Sequence, residues 1–226
     1  MFSKLTVLFC AFAAILSSPL QVTPEDLNLE LKTLGDNIKV RESQVQYEIK
    51  IALNPLNYYI HEAELQYISD LVPAAKPYWD VIGAYETKNI STDIVDCINR
   101  GNNQLYQLNN TIVDEGRLKL NQLSQQGQNK ALESRLKTSA ILTQLEELSG
   151  KIAHCSDNSC AGDLHGKLLE FYEYSIQYLD TAADVMVNFV YSYLPEILPT
   201  YGLDVSDYQK RYQPFLDEVL DCVANK

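Results

Sequence analysis

The chain has 226 residues, with 18 basic against 30 acidic side chains and a net charge of −12. That length is enough to bury a full hydrophobic core without metal or dense cross-linking. The acidity argues against nucleic acid or an anionic membrane surface as partner, because either would bring negative charge onto the protein's own carboxylates.

Lys4, the apolar run Leu5 to Leu16 and the small residues Ser17 and Ser18 have the layout of a secretory signal peptide, residues 1–18. The run is too short to span a bilayer core, and no later stretch is apolar enough to act as an anchor. The mature chain is expected to be residues 19–226, one all-α domain exported to the extracellular space, with 17 basic side chains, 30 acidic ones and four cysteines. An even cysteine count in an exported chain reads as two disulfides.

Thr23-Pro24-Glu25-Asp26 is a helix start: a capping hydroxyl, a proline where the N–H is unpaired anyway, and carboxylates at the positive helix end. Leu27, Leu31, Leu34, Ile38, Val45, Ile49 and Ala52 carry one apolar stripe. Asn54-Pro55 repeats the device and predicts a fresh helix through Leu56, Tyr59, Ile60, Ala63, Tyr67, Ile68 and Leu71, stopped by Pro73 and Pro77. Trp79, the only tryptophan, then falls in a short connector, where it reads as a core plug rather than an aromatic anchor for a partner. Residues 19–90 form the N-terminal helices in this reading.

Ser91-Thr92-Asp93 opens the next helix, with Ile94, Ile98, Leu105, Leu108 and Ile112 as its stripe. Gln125 to Asn129, around Gly127, predicts a polar turn. Leu132, Leu136, Ile141, Leu145, Leu148 and Ile152 would then lie on a returning helix, making 91–155 one hairpin. Ala153 to Gly162 breaks the pattern. Beyond it Leu168, Tyr172, Ser175, Leu179, Ala182, Met186, Phe189 and Tyr193 step by four and three, the spacing of a bundle seam. Pro195 and Pro199 end that helix, and Val205, Tyr208, Tyr212, Phe215, Val219 and Val223 mark a last one, so 160–226 is a second hairpin. No segment alternates strictly, so the fold class is all-α: an elongated antiparallel helical bundle cross-linked by two disulfides.

A turn at Gln126 stands 29 residues from both Cys97 and Cys155. The hairpin geometry therefore predicts Cys97–Cys155 and Cys160–Cys222, with Cys97–Cys160 and Cys155–Cys222 as the alternative, since the middle two cysteines are close. His154, Cys155, Cys160 and His165 are the rival metal ligands, but the spacing fits no common zinc module and secretory oxidation would consume the thiols, so no metal is expected.

The three histidines, His61, His154 and His165, sit in no serine, cysteine or metal constellation. Glu170 with Glu173, and Asp180 with Asp184, lie at helical spacing on an acidic surface, where a glycosidase role is not expected. Neither an enzymatic activity nor a cofactor is expected. Residues 116–151 are rich in Lys and Arg and 163–221 in Asp and Glu, which reads as two complementary solvated faces. Asn89-Ile90-Ser91 and Asn109-Asn110-Thr111 are glycosylation sequons, Asn89 being the better acceptor. Fifteen tyrosines suit core edges, a partner surface or the wall of a pocket for an amphipathic ligand.

With its leader Met1 to Ser18, its acidic tyrosine-rich helical body and the close pair Cys155 and Cys160, the chain resembles small secreted insect proteins. These are proteins of the tsetse-EP-domain type and lineage-specific salivary proteins of blood-feeding flies. The resemblance implies an extracellular gut, haemolymph or saliva protein acting on host or microbial partners, with no catalytic residues to carry over. The expected function is a non-catalytic interaction protein with an extracellular protein partner; the alternative is a carrier of a small amphipathic or apolar ligand in a Tyr-lined interhelical cavity.

Overall fold

A computed structural model describes residues 22–86 and 91–225. They form an all-α fold of three long helices and a shorter C-terminal one: α1 (Pro24–Glu86), α2 (Thr92–Ala153), α3 (Asn158–Asn188), a π-helical turn (Phe189–Tyr193), α4 (Leu194–Ile197), a 3-10 turn (Leu198–Tyr201) and α5 (Val205–Ala224). The signal-peptide residues 1–18 and the sequon residue Asn89 lie outside the described residues.

The helix starts follow the local chemistry. At α1 the Thr23 hydroxyl accepts the Asp26 N–H at 3.2 Å while the Asp26 carboxylate accepts from the Thr23 N–H and hydroxyl, a reciprocal cap. The Thr23 hydroxyl also holds the Asp26 carboxyl below its usual pKa. Asp157 caps α3 by accepting the Cys160 N–H at 2.9 Å, and Asp204 caps α5 by accepting that of Asp207 at 3.0 Å.

The prolines do not stop α1, contrary to the expectation from sequence. Pro55, Pro73 and Pro77 all lie inside it. Each proline removes the donor for the carbonyl four residues back. Those carbonyls belong to Ile51, Ser69 and Pro73, all exposed, where water can replace the missing N–H. On the opposite face Leu71, Ala74, Ala75, Tyr78 and Ile82 are buried, and their burial holds the helix together across the two prolines. Tyr78 is the core plug of this stretch, whereas Trp79 is exposed with its ring edge-on to Tyr78 at 5.2 Å.

No turn forms at Gly127 either; α2 is one helix, and the expected 91–155 hairpin is absent. The glycine serves close packing instead. A Cβ on Gly127 would lie 2.6 Å from Leu56 Cδ2 and 2.8 Å from Phe189 Cε1, so both side chains rest on the bare α2 backbone. The buried stripe beyond it runs through Ala131, Ser134, Thr138, Ile141 and Leu145, leaving Leu132 and Leu136 exposed. Small residues take the inner positions here, which an apolar count misses.

The seam from Leu168 to Phe189 is buried as its heptad predicts, apart from Tyr172 at its edge. Tyr193 is exposed and Leu194 takes the buried place. The Leu194 N–H donates to the Phe189 carbonyl, five residues back rather than four, so one extra residue rotates the register. Pro195 explains the turn: its ring would crowd the carbonyl of a regular helix, and the wider π geometry makes room.

The chain divides into two compact units, one from the residues up to Gln44 with Lys137–Asp180, the other from Val45–Leu136 with the residues from Thr181 onward. The first unit has Leu27, Ile152, Cys155, Ala161, Leu164 and Leu168 as its core cluster. Its α1 and α3 segments run parallel, joined by Arg41 Nε to Asp180 Oδ1 at 2.7 Å and His165 Nε2 to Glu30 Oε2 at 2.9 Å. The second unit packs the C-terminal half of α1, the first part of α2, and α5 around Tyr67, Tyr78, Leu105, Tyr208 and Tyr212. There α2 runs antiparallel to both neighbours: Glu64 pairs with Arg117 at 2.6 Å, and Arg211 grips Glu115 with two bonds of 2.7 and 3.0 Å.

Candidate binding cleft

The four cysteines among the described residues are all cross-linked, but in neither expected pairing. Cys97 bonds Cys222 and Cys155 bonds Cys160, with Cα–Cα distances of 5.9 and 5.7 Å. The expected pairing needed a turn at Gly127 to bring Cys97 back to Cys155. Because α2 continues there, Cys97 instead meets the end of antiparallel α5, and Cys155 meets the residue that starts the next helix. Among the described residues no group of three or more His, Cys, Asp or Glu could hold a metal ion. His154 Nδ1 lies 2.7 Å from the Gly150 carbonyl, one turn back on its own helix, and His165 sits against Glu30.

Tyrosines divide by depth. Tyr67, Tyr78, Tyr208 and Tyr212 are buried, and Tyr47, Tyr58, Tyr106, Tyr174, Tyr191 and Tyr193 are exposed. Sequon residue Asn109 is half-buried on α2, and its side-chain carbonyl accepts a 2.6 Å hydrogen bond from the Tyr208 hydroxyl of α5.

The second unit carries an open cleft of about 460 Å³ between α1 and the segment that follows the π turn. Tyr59, Glu62, Ala63, Gln66, Tyr67 and Asp70 form one wall, a set spaced by three and four residues and hence one helix face. Pro195, Leu198, Pro199, Tyr201 and Gly202 form the other. The second wall exists because two prolines and the π turn break the regular helix into short pieces. Tyr67 is the deepest of the three tyrosines, and its ring packs against Gly116, where a Cβ would come within 2.6 Å of Cε1. Burial, and then the neighbouring Glu115 carboxylate, push the Tyr67 hydroxyl pKa up, so it stays a neutral hydrogen-bond donor.

At the rim, Asp70 accepts 2.7 Å from Gln66 Nε2, and Glu62 makes no ion pair among the described residues. The cleft thus offers aromatic and proline surface for an apolar group, with carboxylates at its edge for a donor or a cation. The sequence held a signal for it in the close spacing of Pro195, Pro199 and Tyr201, which an ending helix alone would not require.

No known protein family, characterised protein or solved structure matches this chain significantly.

Proposed function

We propose that this is a secreted, non-catalytic interaction protein that recognises an extracellular protein partner through the cleft between α1 and residues 195–202. The observation that carries the reading is the cleft itself: three tyrosines and two prolines line one open surface, with carboxylates at its edge. Stiff aromatic and proline rings lose little freedom when a partner covers them, which suits recognition of an extended segment. Secretion rests on the leader at residues 1–18 and agrees with two disulfides and with the absence, among the described residues, of any helix able to cross a membrane. The resemblance to insect gut and salivary proteins supplies the proposed setting.

The carrier reading uses the same cleft. Its volume lies within the range of roughly 300–1,000 Å³ common for small-ligand sites. One experiment separates the two: a photo-crosslinking amino acid placed at Leu198, with the protein exposed to its secretion fluid. A protein-sized adduct supports partner recognition, and a gain the size of a small molecule supports the carrier. No adduct from Leu198 beyond that from a control probe at Tyr174 rejects the cleft as the site.

A further inference from the structure

The charge around the cleft is one-sided. Its walls, taken with the turn into α5, are residues 59–70 and 195–207, which carry Glu62, Glu64, Asp70, Glu196, Asp204 and Asp207 and no Lys or Arg. His61 is the one group there able to become cationic. The gap in Lys and Arg reaches past both walls, over residues 51–75 and 168–209.

The helices packed around Tyr67 do not supply the missing cation. Arg117 of α2 pairs with Glu64 at 2.6 Å and lies 3.9 Å from Asp114, while Arg211 of α5 grips Glu115 and lies 4.0 Å from Asp207. Lys119 adds a third cation near Glu115. These three stand against the four carboxylates just named, so none is in excess to offset Glu62 and Asp70. Glu62 makes no ion pair among the described residues, and the bond from Gln66 Nε2 positions Asp70 without neutralising it.

Uncompensated carboxylates beside aromatic rings favour a particular ligand chemistry. A cation is attracted by the carboxylate charge and, within about 6 Å, by the electron-rich face of a ring. The aliphatic stem of Arg or Lys lies along apolar surface while its head stays among polar groups. The cleft brings these surfaces together: Glu62 and Asp70, the rings of Tyr59, Tyr67 and Tyr201, and the apolar Leu198 between Pro195 and Pro199. An acidic segment would be repelled here, and a wholly apolar one would desolvate the two carboxylates with nothing to pair them.

Building on the cleft as the partner site, we propose that the segment entering it carries a basic side chain, arginine or lysine, with its stem along Leu198 and Pro199 and its charged head between the tyrosine rings and the carboxylates of Glu62 and Asp70.

Random peptides displayed on phage, selected on the purified chain and then synthesised and titrated, test this. Selected peptides should carry Arg or Lys beside apolar residues and should lose binding to Leu198→Trp, whose ring fills the cleft without altering its charge. The double variant Glu62→Gln with Asp70→Asn should weaken them roughly three- to thirtyfold, as should replacing the peptide's Arg by citrulline or its Lys by norleucine. The two changes together should cost little more than either alone, since both remove the same interaction. Circular dichroism and thermal melts check that the variants fold. Basic peptides that bind the double variant as tightly as the wild type overturn the proposal, and so do neutral or acidic peptides that Leu198→Trp excludes; both results leave the cleft as the partner site. Peptides indifferent to Leu198→Trp, or no selected peptide at all, remove the cleft as the site and the proposal with it.

Discussion

The Tyr208 hydroxyl of α5 donates to the Asn109 side-chain carbonyl of α2 at 2.6 Å, beside a Tyr212 ring edge-on to Tyr208 at 5.4 Å. Burial pushes the Tyr208 pKa up to about 12, and the same cause takes Tyr78 to about 12. A raised folded-state value means that the native state holds its proton where the unfolded chain, near 10, releases it. The stability these rings contribute is therefore complete below pH 10 and is lost as pH rises from 10 through 12. Urea unfolding at stepped pH should show a midpoint level from pH 8 to 9.5 and falling above 10, and the 295 nm absorbance should show a late-ionising group of phenols that includes Tyr78 and Tyr208.

Asn109 is half-buried with its Oδ1 held by Tyr208, so a glycan on its Nδ2 would crowd the α2–α5 contact. Glycosylation at Asn89 alone is the expected outcome: Asn89→Gln should abolish the mass lost on deglycosylation, and Asn109→Gln should leave it unchanged. Asn109→Ala should cost about 1 to 3 kcal/mol, because it leaves a buried phenol without an acceptor. Intact mass and thermal melts measure the two effects separately.

The two disulfides should differ in weight. In the chain-entropy account a cross-link stabilises by shrinking the unfolded ensemble, more so for a longer loop. Cys97–Cys222 spans 125 residues and Cys155–Cys160 spans five. These correspond to about 5 and about 2 kcal/mol before strain. Replacing Cys97 and Cys222 by alanine should lower the denaturant midpoint more than replacing Cys155 and Cys160.

Two glycines should answer alanine with opposite signs. Gly166, inside α3, has nothing within 4 Å of a built Cβ, so Gly166→Ala should gain up to about 1 kcal/mol of helix propensity. Gly127→Ala gains the same propensity but drives a methyl into Leu56 and Phe189. Overpacking of that kind costs about 1 to 3 kcal/mol, so the net effect should be destabilising. Thermal melts of the two variants decide it, and equal shifts would contradict the packing assigned to Gly127.

What could be read from the sequence was periodicity. The stripe from Leu168 to Phe189 is apolar at regular spacing apart from Ser175, and all of it but Tyr172 is buried. Where an inner position holds a small or polar residue, as at Ala131, Ser134 and Thr138, hydrophobicity pointed to Leu132 and Leu136, which face solvent. Proline and glycine misled for a shared reason: their local cost is known from sequence, but the burial that offsets it is not. Pro73 and Pro77 lie opposite a buried face, and Gly127 lies under two large side chains. From that misplaced turn came the wrong cysteine pairing. The cleft joins residues 59–70 with 195–202, and no local pattern records that contact.

Covalent connectivity gives Cys97–Cys222 one further consequence. The bond closes a ring that contains nearly all of α2, the whole of α3 and most of α5, with the Cys155–Cys160 link lying within it, while α1 hangs outside as a linear tail. A protease that cuts once anywhere inside the ring leaves a single molecule until a reductant arrives. One cut in the connection between α1 and α2 severs the tail from the ring, after which only side-chain packing holds α1, including its wall of the cleft, to the rest. In a fluid rich in proteases, that connection is where a single cleavage could release half of the binding surface.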